Sequence, residues 1–74
     1  MNAAQCKMAR AAIGLGVREL ALKADVSPNT IARLERGEAM RESTVEAVQR
    51  ALETAGVEFI PENGGGAGVR LRKR

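Results

Sequence analysis

Residues 17 to 37 read Val-Arg-Glu-Leu-Ala-Leu-Lys-Ala-Asp-Val-Ser-Pro-Asn-Thr-Ile-Ala-Arg-Leu-Glu-Arg-Gly, and they decide the fold. From Val17 to Ala24, Leu20, Ala21 and Ala24 recur at the spacing of one helical face, with Arg18, Glu19 and Lys23 turned outward. Asp25 occupies a turn, and Asp is a residue type that tolerates the left-handed region with modest strain. Ser27-Pro28 is a sharp helix start. Ser is a preferred N-cap, and Pro in the first helical position gives up an amide that would have had no partner. The helix it opens runs to about Arg36, buries Ile31 and Leu34, and is closed by Gly37. Two helices joined by so short a turn let the first brace the second, which projects.

Working outward, Asn2 and Gln5 have the reciprocal spacing of a capping box, so a helix is predicted over residues 3 to 13. Cys6, Ala9 and Ile13 form its apolar face, with Gln5, Lys7 and Ala11 toward other sides, and Gly14 and Gly16 mark its end. After a polar loop at 38–42, Ser43-Thr44-Val45-Glu46 repeats the capping-box spacing and opens a fourth helix with the stripe Val45, Val48 and Leu52. Gly56 is placed to end it in a left-handed conformation. Val57-Glu58-Phe59-Ile60 and Val69-Arg70-Leu71-Arg72 then alternate with the two-residue period of strands around the glycine-rich segment Pro61 to Gly68. The fold class is mainly α: a four-helix bundle containing a helix-turn-helix, followed by a short C-terminal β-hairpin. A lone hairpin is marginal in water, so it must pack on the helices or pair with a second subunit.

Seventy-four residues are expected to form one core, and with one Phe and no Trp or Tyr it must rest on aliphatic side chains. A single cysteine allows no internal disulfide and there is no histidine, so neither a structural metal nor a cofactor is expected. Cys6 lacks an activating base, which makes it a core residue rather than a nucleophile, and no enzyme activity is expected. The glycines at 64–66 and 68 are not followed by Lys-Ser or Lys-Thr and open no helix, so they read as a flexible turn and not as a phosphate loop. With no signal-like leader and no apolar run of membrane-spanning length, the expected compartment is the cytoplasm. The net charge of +3 is uneven: Arg70, Arg72, Lys73 and Arg74 close the chain, leaving eight bases against nine acids before them. Net charge alone is therefore weak support for nucleic-acid binding.

The combination Leu20-Ala21, Val26-Ser27, Thr30-Ile31 and Leu34-Glu35-Arg36-Gly37 resembles the lambda and 434 phage repressor type, the XRE family, and the resemblance covers residues 3 to 56. It implies a lambda-repressor-like bundle that reads double-stranded DNA in the major groove. In that family the exposed early residues of the second motif helix face base edges, which assigns readout here to Asn29, Thr30 and Arg33, with Pro28 against the backbone or a thymine methyl. The chemistry agrees: Asn pairs with adenine and Arg with guanine, each bidentately, while Thr offers a hydroxyl and a methyl. Arg36, Arg41, Ser43 and Thr44 match positions that grip phosphates, and a helix N-terminus favours an anion. The resemblance also implies a partly buried ion pair between Arg10 and Glu35. Three departures stand out. Val17 replaces the usual phosphate-binding Gln, Asp25 replaces the usual turn Gly, and strands replace the fifth helix.

These readings divide the chain into a DNA-binding domain, residues 1–56, and an extension, residues 57–74, with a glycine-rich turn and a basic tail, expected to serve dimerisation. The closing run Arg70 to Arg74 is either a solubilising end or an arm that reaches phosphate or the minor groove. The expected function is that of a sequence-specific repressor bound as a homodimer to a pseudo-palindromic operator, with no small-molecule ligand. The alternative is an antitoxin-like or antirepressor module that uses the same fold to bind a protein, motivated by Val17 and by the weak charge of residues 1–69.

Overall fold

A computed structural model describes residues 1–72. In chain order it has α1 (Ala3–Ile13), α2 (Val17–Ala24), α3 (Pro28–Glu35), α4 (Glu42–Thr54), β1 (Val57–Ile60) and β2 (Gly68–Leu71). The strands pair antiparallel, with Val57 opposite Leu71, Glu58 opposite Arg70, Phe59 opposite Val69 and Ile60 opposite Gly68. The mainly helical class with a terminal two-stranded sheet is thus as the sequence predicts. Lys73 and Arg74, half of the basic tail, lie outside the described residues.

One core serves every element. Cys6 and Ala9 of α1, Leu20, Ala21 and Ala24 of α2, Ile31 and Leu34 of α3, Val48 and Leu52 of α4 and Val57 of β1 are all buried in it. Ala21 is small enough to let α2 and α3 approach, and Leu20 and Ile31, fully buried, fill the angle between them. Truncating either to alanine removes about 2–5 kcal/mol.

The helix ends carry most of the differences from expectation. The Asn2–Gln5 capping box is present, with Asn2 Oδ1 accepting the Gln5 amide at 2.8 Å and Gln5 Oε1 accepting the Asn2 amide at 2.9 Å. Gln5, however, does not point away from the core; it is buried. Its Nε2 donates to the carbonyls of Ile60 at 3.1 Å and Gly68 at 3.0 Å, the two residues that face each other where the hairpin ladder ends. Cys6, Ala9 and Ile13 do line the helix, but Gln5 faces the sheet, because two backbone carbonyls near α1 need donors and its amide supplies both.

Ser43 does not cap α4. The cap is Arg41, whose extended backbone turns its carbonyl to the amides of Thr44 and Val45, so the helix starts at Glu42 and takes Ser43 and Thr44 into its first turn. Glu42 there complements the helix dipole. Likewise α3 ends at Glu35, with Arg36 as its cap. Strand β2 starts at Gly68 and ends at Leu71, one residue earlier than the alternation indicates, because Gly68 pairs with Ile60. The hairpin is not left bare: Phe59 and Val69 pack against the helical core. Its marginal stability is met within the chain.

Candidate nucleic-acid interface

The exposed side of α3 is built by three local devices. At its start, Ser27 Oγ accepts the Thr30 amide at 3.1 Å, Pro28 takes the first helical position, and the Thr30 and Ser27 hydroxyls lie 2.8 Å apart. Such a cap contributes about 1 kcal/mol and, more to the point, holds the first turn in register. Before it, Asp25 adopts the left-handed conformation at φ 57°, ψ 46° and breaks α2 from α3. At its end, Gly37 sits at φ 86°, its amide donates to Leu34, and the Glu38 amide donates to Arg33. This is the paired hydrogen-bond pattern that closes a helix through a left-handed residue.

Beneath the helix, Arg10 and Glu35 tie α3 to α1. Arg10 Nε and Nη2 reach the two carboxylate oxygens of Glu35 at 2.6 and 2.7 Å, and Arg10 Nη1 donates to the Leu15 carbonyl at 3.1 Å. The Cys6 thiol donates to the same carboxylate at 3.3 Å. With side-chain exposures of 21% and 8%, the pair is partly shielded from water. The Arg10 hydrogen bonds hold Glu35 below the ordinary carboxylate range, against the effect of burial, and Glu35 in turn raises the Arg10 guanidinium. Burial first, and then the neighbouring Glu35, push the Cys6 thiol up to about 12. It is therefore an un-ionised core group and a poor nucleophile.

Above the helix, Pro28, Asn29, Arg33 and Arg36 are exposed, and Thr30 is half-buried. Asn29 and Arg33 lie one turn apart on the same face, with Arg36 continuing it. Asn29 makes no side-chain hydrogen bond to a described residue. Arg33 and Arg36 do: both pair with Glu38, a residue that the spacing of basic groups alone does not single out. Its signal in the sequence is its position, two residues after Arg36 and five after Arg33, across a helix-ending Gly. Arg41 is exposed at the start of α4, followed by exposed Ser43 and half-buried Thr44. Val17 is half-buried at the first position of α2 and carries no polar group, and at that helix start the Glu19 carboxylate accepts the Gly16 amide at 2.9 Å. Among the described residues no group of three His, Cys, Asp or Glu side chains gathers as metal ligands would. No helix among them is long and apolar enough to cross a membrane.

A helix held from below by core and ion pair, capped at both ends and polar on its outer face, defines the class: a helix-turn-helix domain. The family model described as a helix-turn-helix domain matches residues 3–59, well over half of the chain, and the protein belongs to that family. The match is consistent with the resemblance to the XRE type, and membership points to DNA binding and regulation as the class of activity. None of the curated proteins matches the chain.

Proposed function

We propose that this protein is a cytoplasmic, sequence-specific transcriptional regulator, a repressor that binds a pseudo-palindromic operator as a homodimer with α3 in the major groove. In this reading Asn29, Thr30 and Arg33 touch base edges, Pro28 lies against the backbone or a thymine methyl, and Arg36, Arg41, Ser43 and Thr44 position the protein on phosphates. The observation that carries it is the outward polar face of a helix whose inward face is locked by Ile31, Leu34 and the Arg10–Glu35 pair. A molecule measuring 31 × 27 × 18 Å suits two copies side by side, whose recognition helices would then enter successive major grooves about 34 Å apart. The protein acts without cofactor, small-molecule ligand or catalysis; its one thiol is buried and its chain has no histidine.

Selection of bound sequences from a random duplex pool tests the reading. Enriched sites with dyad symmetry and half-sites about one helical turn apart are the expected outcome. A second reading, docking of a partner protein, is favoured by one observation: Leu22 is 82% exposed beside Val26 and Pro28 on the motif itself. Persistent failure to enrich any sequence, with a stoichiometric protein partner on the Leu22 face, would decide for that reading instead.

A further inference from the structure

One carboxylate holds both arginines of the outer face, and it holds them differently. Glu38 Oε1 accepts from Arg33 only at Nε, 2.9 Å away, which leaves both terminal nitrogens of Arg33 without a hydrogen bond to a described residue. Glu38 Oε2 accepts from Arg36 at both Nε, 3.0 Å, and Nη2, 2.8 Å, so one edge of that guanidinium is occupied. Isolated surface ion pairs contribute little. Here, though, the backbone places the carboxylate: the Glu38 amide donates to the carbonyl of Arg33 itself at 3.2 Å, through the turn that Gly37 makes possible. Charge-assisted bonds from both arginines, Arg33 first, hold the Glu38 carboxyl below its ordinary range.

We infer that Glu38 is a specificity-determining residue of the DNA-binding face, one that buttresses Arg33 for bidentate pairing with a guanine while withholding Arg36 from indiscriminate phosphate contact. The inference rests on the DNA reading above and deepens it. A guanine edge takes two parallel N–H donors, and Arg33 held through Nε keeps its two terminal nitrogens, with four N–H groups, available for them while the bond to Glu38 limits how the guanidinium turns. A phosphate on random DNA must compete with the carboxylate for Arg36 and approach its negative charge. A correct site offsets that cost through Arg33, and a random one does not.

The test compares the parent protein with Glu38→Gln, an exposed change that leaves the core untouched. Each is titrated against a duplex enriched by selection and against a scrambled duplex of equal length, over a range of salt. For Glu38→Gln, random DNA should bind about threefold to tenfold more tightly with a salt slope steeper by about one, and the ratio of specific to random affinity should fall. Nitrogen NMR of the free proteins supplies a readout independent of DNA: distinct, protected Arg33 and Arg36 Nε–H signals in the parent should merge toward the exposed-arginine average in the variant. An unchanged affinity ratio in a parent that does discriminate overturns the role of Glu38 and leaves the DNA reading standing. If both folded proteins ignore every duplex even at low salt, the DNA reading falls and this inference falls with it.

Discussion

At the scale of single residues, Glu35 is the most exacting position, because one carboxylate serves Arg10 twice and Cys6 once. Replacing it with Gln leaves Arg10 without its counter-charge, and we expect Glu35→Gln to lose about 2–4 kcal/mol at pH 7. The pH dependence has a definite sign. Since folding lowers the Glu35 pKa, its contribution is complete above the ordinary carboxylate range and is lost as pH falls through the lowered value. The urea midpoints of parent and variant should therefore differ at pH 7 and converge toward pH 3; a gap of equal size at both would refute the assignment. The outer face has its own residue-scale prediction. Arg33→Ala should remove about 1–3 kcal/mol of discrimination at one base pair per half-site, whereas Arg41→Ala should weaken specific and random DNA alike and reduce the salt slope by about one. Competition titrations distinguish them, and equal losses on both kinds of DNA from both variants would contradict the roles proposed.

At the scale of elements, what joins the hairpin to the helices is a side-chain amide as much as an apolar face. Gln5 closes the cap of α1 with its oxygen and the end of the β1–β2 ladder with its nitrogen, so every polar atom of its amide is used. Gln5→Glu keeps the shape and reverses the chemistry, setting a carboxylate against two carbonyl oxygens. A loss of about 2–4 kcal/mol at pH 7 is expected. Part of it should return near pH 4, since a protonated carboxyl can donate one of the two bonds; the pKa introduced is raised by folding, so stability falls as pH rises through it. Thermal melts at the two pH values measure this, and a variant as stable as the parent at pH 7 would show that the hairpin is held by packing alone. The strand alternation marked the hairpin in the sequence, but nothing local tells that Gln5, 55 residues from Ile60, receives it.

For the whole molecule, the homodimer proposal turns on how two copies would meet. Because the hairpin packs on its own helices, a dimer need not exchange strands to rescue it, which separates stability from association. We expect sedimentation at micromolar concentration to show a dimer, and Leu71→Glu, a change at an exposed position of the hairpin, to weaken it without unfolding the chain. A species that stays monomeric throughout, free and on DNA, would sink the homodimer proposal. Much of the positive charge is also locally neutralised: of the described arginines, Arg10, Arg33, Arg36 and Arg70 are each paired with a glutamate. Binding driven by net charge would be weak on that account, so the proposed recognition leans on shape and base contacts at α3.

Local chemistry carried the helix-turn-helix into view. A serine cap, a first-position proline, a closing glycine and 3.6-residue apolar spacing act within a few residues, and they mark where α2, the turn and α3 begin and end, while the common core supplies their stability. Helix ends were legible to within a residue, except where an extended Arg41 competed with Ser43 for the start of α4 and prevailed through its backbone. Contacts across the fold were of another kind. Gln5 reaches the hairpin carbonyls only once α1 and the strands have packed, whereas Glu38 meets its two arginines, five and two residues back, through the local turn at Gly37. Hydrogen bonds and ion pairs are short-ranged and directional, so their partners are chosen by the packed arrangement, whereas apolar periodicity and caps are properties of the chain before it packs.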